Sequence, residues 1–180
     1  QGMVGSIFWR ILGWTIIWTI GATTLAIALG FILAIVLNND RVKGKVLFRS
    51  IYLLPWAVPA FISILFFSIL FADGGTVVNS LRNVFGPNFS IKNDTFNIRL
   101  TLICIQAWLG SAYIFLLSTG VLQSTNAELY EAADIDGASW LQKVRYIIIP
   151  GIKSVSTVVF LLLVIWTIKD YAIAYVLAKG

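Results

Sequence analysis

Apolar residues gather into four long runs, about 11–37, 51–71, 98–122 and 151–168, separated by polar intervals of unequal length. Each run is about 18 residues or longer, the length a helix needs to cross the hydrocarbon core of a bilayer. In lipid every backbone polar group must be satisfied within the segment, so helices are predicted for all four. The pattern predicts an all-α fold, a polytopic transmembrane helical bundle in one domain over 1–180. Gly13, Gly21 and Gly30, with Thr19, Thr23 and Thr24, give the first run a small-residue side. Such a side lets membrane helices pack closely. Pro55 and Pro59 fall near the start of the second run. They predict either a plain proline turn at its N-terminus or a break that must be packed by protein.

The intervals differ in chemistry. Residues 38–50 carry Arg41, Lys43, Lys45 and Arg49, the densest basic loop, and density of this kind favours the cytoplasmic side. Residues 73–97 are rich in Gly, Asn and Pro and are predicted as an external loop. Summed over the chain the basic residues are nearly balanced. Arg41, Lys43, Lys45, Arg49, Lys143 and Arg145 lie on the side assigned inside, and Arg10, Arg82, Lys92, Lys169 and Lys179 on the other.

The interval 123–150 has the tightest internal pattern. Thr125 and Glu128 have capping-box spacing, which predicts a helix start there. Leu129, Ala132, Ala133, Asp136, Gly137 and Trp140 then fall near one face of a helix. Gly137 either ends that helix or lets it bend, and Pro150 suits the first turn of the next. The face is small in its middle, and Glu128, Glu131, Asp134 and Asp136 outnumber Lys143 and Arg145.

Composition removes several functions. Of the 180 residues 59% are hydrophobic and 12% charged, about half the charge of a soluble domain. Mean hydropathy is +0.90. Histidine is absent, which excludes histidine metal ligands and histidine bases. The one cysteine, Cys104, cannot form an internal disulfide and is expected to serve packing. No G-x-x-x-x-G-K-[ST] loop is present, so ATP would be hydrolysed elsewhere. No enzyme active site or metal site can be assembled from these residues. The net charge of +5 is read as membrane-facing, with no nucleic acid partner.

Glu131-Ala132-Ala133, Asp136-Gly137-Ala138, Ile147, Ile149 and Pro150 resemble the EAA loop of ABC importer permeases. Ile149 stands where leucine is usual. Phe48-Arg49, Leu54-Pro55-Trp56 with Pro59, and Trp166 to Lys179 resemble the sugar-importing branch, that of the maltose and glycerol-phosphate permeases. The resemblance covers nearly the whole chain and implies an ABC importer permease fold with a six-span core. Four spans with an outside start fit that core if one helix precedes Gln1 and one follows Gly180. It implies a cytoplasmic EAA loop, 123–150, in which Glu131, Ala132, Ala133, Asp136, Gly137, Ala138, Ile147 and Pro150 form or flank a coupling helix on an ATPase subunit. ATP and magnesium would sit on that ATPase, and this chain would bind no cofactor. A second permease subunit and an extracellular substrate-binding protein are the other implied partners, in a bacterial or archaeal plasma membrane.

A sugar path through the spans would draw on Gln106, Trp108 and Tyr113 of the third run, and on Trp166 and Asp170. Amides and hydroxyls bond sugar hydroxyls, and aromatic rings cover sugar faces. The same residues also suit interhelical bonding and interfacial belts. Where family members carry an aromatic before Asp170, Ile168 and Lys169 stand here, a departure at the path. Rival readings are a permease for amino acids, peptides or ions, an ion-driven carrier, and a passive membrane anchor. A carrier would want a carboxylate at mid-membrane, and every acid here lies in a loop or at a run's end.

Overall fold

A computed structural model describes residues 2–39, 42–170 and 173–175, with side chains at all of these except 2–4, 154 and 155. Arg41, Lys179 and most of the apolar stretch 171–178 lie outside them. The first apolar run is one helix, α1, Gly2–Asn38, 37 residues without a proline. At 1.5 Å per residue it is about 55 Å long, more than a bilayer core needs. The third run lies in α5, Thr95–Ser124. Its start is set by Asp94, whose carboxylate accepts from the Phe96 and Asn97 amides, both at 2.8 Å.

These two helices form the spine. Gly21 meets Ile103, Ala26 meets Gly110, and Gly30 meets Ile114, so residue numbers rise together and the helices run parallel. Their seam is small and polar: Ala22, Thr23, Ala26, Ala34, Ala107, Ser111, Ala112 and Ser118 are buried. Without a hydrophobic force between helices in lipid, dispersion across such a close seam holds them together. Of the glycines singled out from sequence, only Gly30 is at a forced approach. A Cβ there would lie 2.5 Å from Ile114 Cβ and 2.8 Å from the Ser111 carbonyl. Around Gly13 there is open space.

The second run is not one helix. It divides into α2, Lys45–Ala57, and α3, Ala60–Leu70, bent by 96°. Pro55 cannot donate to the Ile51 carbonyl, and Val58 is extended (φ −85°, ψ 138°), the conformation preferred before proline. Pro59 then opens α3. The prolines therefore mark a break within the run and not a plain N-terminal turn, because the helix begins ten residues before Pro55; the break itself, 56–60, is exposed rather than packed by this chain. On the N-terminal side of the break α2 is tied to α5: Tyr52 hydrogen-bonds Ser111, and Trp56 stacks on Tyr113 with ring centroids 6.3 Å apart. Arg49 reaches back to donate to the Leu37 carbonyl at 2.8 Å, covering an orphan acceptor in the last turn of α1.

The interval 73–97 holds a further helix, α4, Thr76–Phe85, which its turn-rich composition concealed. Gly75 precedes it, pressed so closely on the end of α3 that a Cβ would meet the Leu70 carbonyl at 2.3 Å. Arg82 organises the segment. It donates to the Phe89 carbonyl at 2.9 Å and the Asp73 carbonyl at 2.7 Å, and its guanidinium is 3.5 Å from the Asp73 carboxylate. Arg82→Ala is expected to loosen 73–90 as a unit. Losing ~2 kcal/mol of charge-assisted bonding would speed amide exchange there about thirtyfold, measurable by hydrogen-exchange mass spectrometry. Exchange as slow as in the unsubstituted protein would remove Arg82 from this role.

The chain closes with α6, Ala127–Ile135, α7, Trp140–Lys143, and α8, Ile149–Lys169. Two buried clusters mark the ends of the bundle. One joins Trp18, Ala22, Ile64, Leu102, Ile105 and Ile173. The other joins Ala34, Leu37, Phe115, Leu122, Ile148 and Ile152. Since α8 begins at the second cluster and runs toward the first, it is antiparallel to the spine. Among the described residues two helices are long and apolar enough to cross a membrane, and two bent pairs reach the same standard if each is one span. Cys104, expected to pack, is exposed on α5, facing away from the seam.

Candidate coupling site

The segment 125–150 sits at the second-cluster end and is built by local signals. The helix cap is Asn126, not Thr125: the Asn126 side-chain Oδ1 accepts from the Glu128 amide at 3.1 Å. Thr125 instead donates to the Val121 carbonyl at 3.0 Å, finishing α5. Asparagine in extended backbone holds its oxygen as close to the first free amides as threonine does, and a threonine at the end of a helix can bond back one turn.

Gly137 ends α6 at φ +72°. The Ala138 amide donates to Ala133 at 2.8 Å and the Gly137 amide to Asp134 at 3.0 Å, the paired bonds of a Schellman motif. Two residues later Ser139 starts α7 with a full capping box. Its hydroxyl accepts from the Gln142 amide and the Gln142 side chain accepts from the Ser139 amide at 2.7 Å. Trp140 therefore belongs to α7 and does not share a face with Leu129 and Ala132, because the left-handed Gly137 turns the chain between them.

Pro150 stands in the first turn of α8, as its type suits, although that helix continues an existing path. The helical path runs from Trp140 through one π-helical stretch, Val144–Ile148, into α8, where Pro150 is the second residue. The Ile149 amide donates five residues back, to Val144. A proline forfeits one bond and crowds the turn before it, and a widened turn is one way to relieve both.

Glu131, Ala132, Asp136, Gly137 and Pro150 are exposed, while Ala133, Ala138 and Ile147 are partly covered. The buried member of the Ile-rich end is Ile148, at 1% exposure. Sequence reasoning missed the apolar residues that α6 and α7 present outward: Ile135 at 87% and Leu141 at 78% exposure. It also missed Tyr130, whose ring packs on the second cluster. Burial pushes the Tyr130 hydroxyl above its ordinary range. Asp134, near the end of α6, pairs with Lys143, the last residue of α7.

The residues named for a substrate path do not form one site. Gln106 is buried near the first cluster with its carbonyl oxygen unbonded. Trp108 packs edge-on against Phe67 at 5.5 Å, and Tyr113 stacks on Trp56 beside the α2–α3 break. Trp166 is exposed on α8, and Asp170 follows its last turn.

The family described as binding-protein-dependent transport system inner membrane component matches residues 26–180. The chain belongs to that family. This permease is 44% identical over 181 residues to the maltodextrin transport system permease protein MdxF of Bacillus subtilis (strain 168), covering 96% of this chain and 42% of the relative. It is 42% identical over 177 residues to the galactooligosaccharides transport system permease protein GanP of the same organism, covering 97% and 42%. The permease thus spans about two fifths of the length of these relatives. Its fold matches a chain in the crystal structure of a bacterial ABC transporter involved in the import of the acidic polysaccharide alginate. The TM-score is 0.70 at 20% identity, over 91% of this chain and 64% of that one.

Proposed function

We propose that this permease is a membrane-spanning subunit of an ATP-driven importer that carries a carbohydrate delivered by an extracellular binding protein. The observation that carries the reading is the prefolded, outward-facing α6 at one end of the bundle, bearing the EAA-x-x-D-G segment in a family of transport permeases. α6 docks on a separate ATPase subunit, which holds ATP and magnesium. Its end of the bundle is cytoplasmic, and the α4 segment faces outside toward the binding protein. A second permease subunit completes the path.

A sugar cargo is supported by relatives named for maltodextrin and galactooligosaccharides. Within the chain, Trp56, exposed beside a helix break and braced on Tyr113, offers a ring suited to covering a sugar face. Arg99 is occupied by the face of Trp14 at 4.6 Å, which leaves it poorly placed for an anionic cargo.

Cysteine placed at Ala133 in a Cys104→Ser background tests the docking. Co-expressed with the ATPase carrying a cysteine beside its cleft, the pair should cross-link, and ATP should change the yield. Failure at every cleft position with both proteins in the membrane would refute the coupling role.

A further inference from the structure

Asp134 is misplaced by the ordinary rule for helices. It lies in the last turn of α6, where the helix dipole is negative and a carboxylate is disfavoured. Its compensation comes from another element. The Lys143 amine bonds Asp134 Oδ1, and the Lys143 side chain is only 12% exposed although that of Asp134 is 67% exposed. The lysine stem is thus laid down against protein and its amine delivered to α6.

The pair closes a compact ring. Inside it lie the Schellman motif, Gly137 and the Ser139–Gln142 capping box. Lys143 is followed at once by Val144, which packs against the second cluster and begins the widened turn into α8. Tyr130 gives α6 its other attachment, to that same cluster. Ring packing resists being pushed but yields to a pull, since dispersion fades within an ångström or so of separation. A charged hydrogen bond falls off more slowly and holds in both directions.

We propose that Asp134 and Lys143 are a positioning pair that makes α6, the turn after it and α7 a single lever, so that pulling α6 moves α8 as well as pushing it. The proposal rests on the coupling role of α6. The pair is a strut between elements, and neither residue touches cargo or nucleotide.

The test uses spin labels on Leu129→Cys in α6 and Val158→Cys in α8, in a Cys104→Ser background and the complete importer. Pulsed electron resonance reads the distance distribution between them. Asp134→Asn or Lys143→Gln should broaden it about twofold, as rigid motion gives way to independent motion. Lys143→Arg, and the exchange of Asp134→Lys with Lys143→Asp, should keep it narrow. Broadening by neither neutral variant, or an exchanged pair as broad as the neutral ones, would overturn the lever. The Ala133 cross-link is run on the same samples. Its loss in the unsubstituted importer would sink the docking role alone, because the label distances are read within this chain.

Discussion

Gly30→Val permease is expected to lose about 5 °C or more of its melting midpoint in detergent, while Gly13→Val melts like the unsubstituted protein. At Gly30 the new Cβ would sit 2.5 Å from Ile114 Cβ, 2.7 Å from Ile114 Cγ2 and 2.8 Å from the Ser111 carbonyl oxygen. Ser111 is 0% exposed and Ile114 2%, and one of the obstacles is backbone, so no rotamer change makes room. The spine must open along its seam. Overpacking of this kind costs ~1–3 kcal/mol, and a seam held by dispersion has little else to offset it. Gly13 sits on the same helix with nothing within 4 Å, so it isolates helix propensity from crowding. Equal melting of the two variants, read by fluorescence of the intrinsic tryptophans, would show that close approach at Gly30 does not hold α1 to α5.

Gly137→Trp is expected to insert and fold yet reduce uptake to background. Two effects combine. A non-glycine residue at φ +72° costs ~1–3 kcal/mol in local strain, enough to fray the end of α6. The site is also open, so an indole would project from the surface proposed to enter the ATPase cleft. Gly137→Ala separates them, because alanine is small but is strained in the left-handed region. It should retain a large part of the uptake, measured in cells with whichever radiolabelled oligosaccharide the unsubstituted importer takes up. Background uptake in both variants would point to strain as the cause. Full uptake in Gly137→Trp, with normal expression, would remove α6 from the docking surface.

Much of this was legible in the sequence because it depends on local chemistry. The small side of α1 pointed to a close seam, although the alanines at 22, 26 and 34 carry as much of it as the glycines do. The prolines marked the break, but nothing local said that the helix before it would start at Lys45, since the amphipathic turn there is held by Arg49 reaching to Leu37. Two caps were written plainly and passed over. Asp94 was hidden in an asparagine-rich stretch, and Ser139 with Gln142 has the same spacing that drew notice to Thr125 and Glu128. α4 was legible too, since Val77, Val78, Leu81, Val84 and Phe85 recur at helical spacing, but the glycines and asparagines around it read as loop; what no local pattern gave was Arg82 bonding to residues on both sides of it.

The widened turn at Val144–Ile148 has a further consequence for reading this chain by phase. An i→i+5 bond takes up one residue more than an i→i+4 bond, so it acts as an insertion absorbed inside the helix. A helical wheel drawn without a break from Trp140 to Lys169 slips by about 100° at that point. Removing one residue between 144 and 148 should therefore leave a regular helix one residue shorter, with α7 rotated by one residue's angle about the helix axis. The extra residue thus sets the angle at which α7 leaves α8, and with it the side from which Lys143 reaches Asp134.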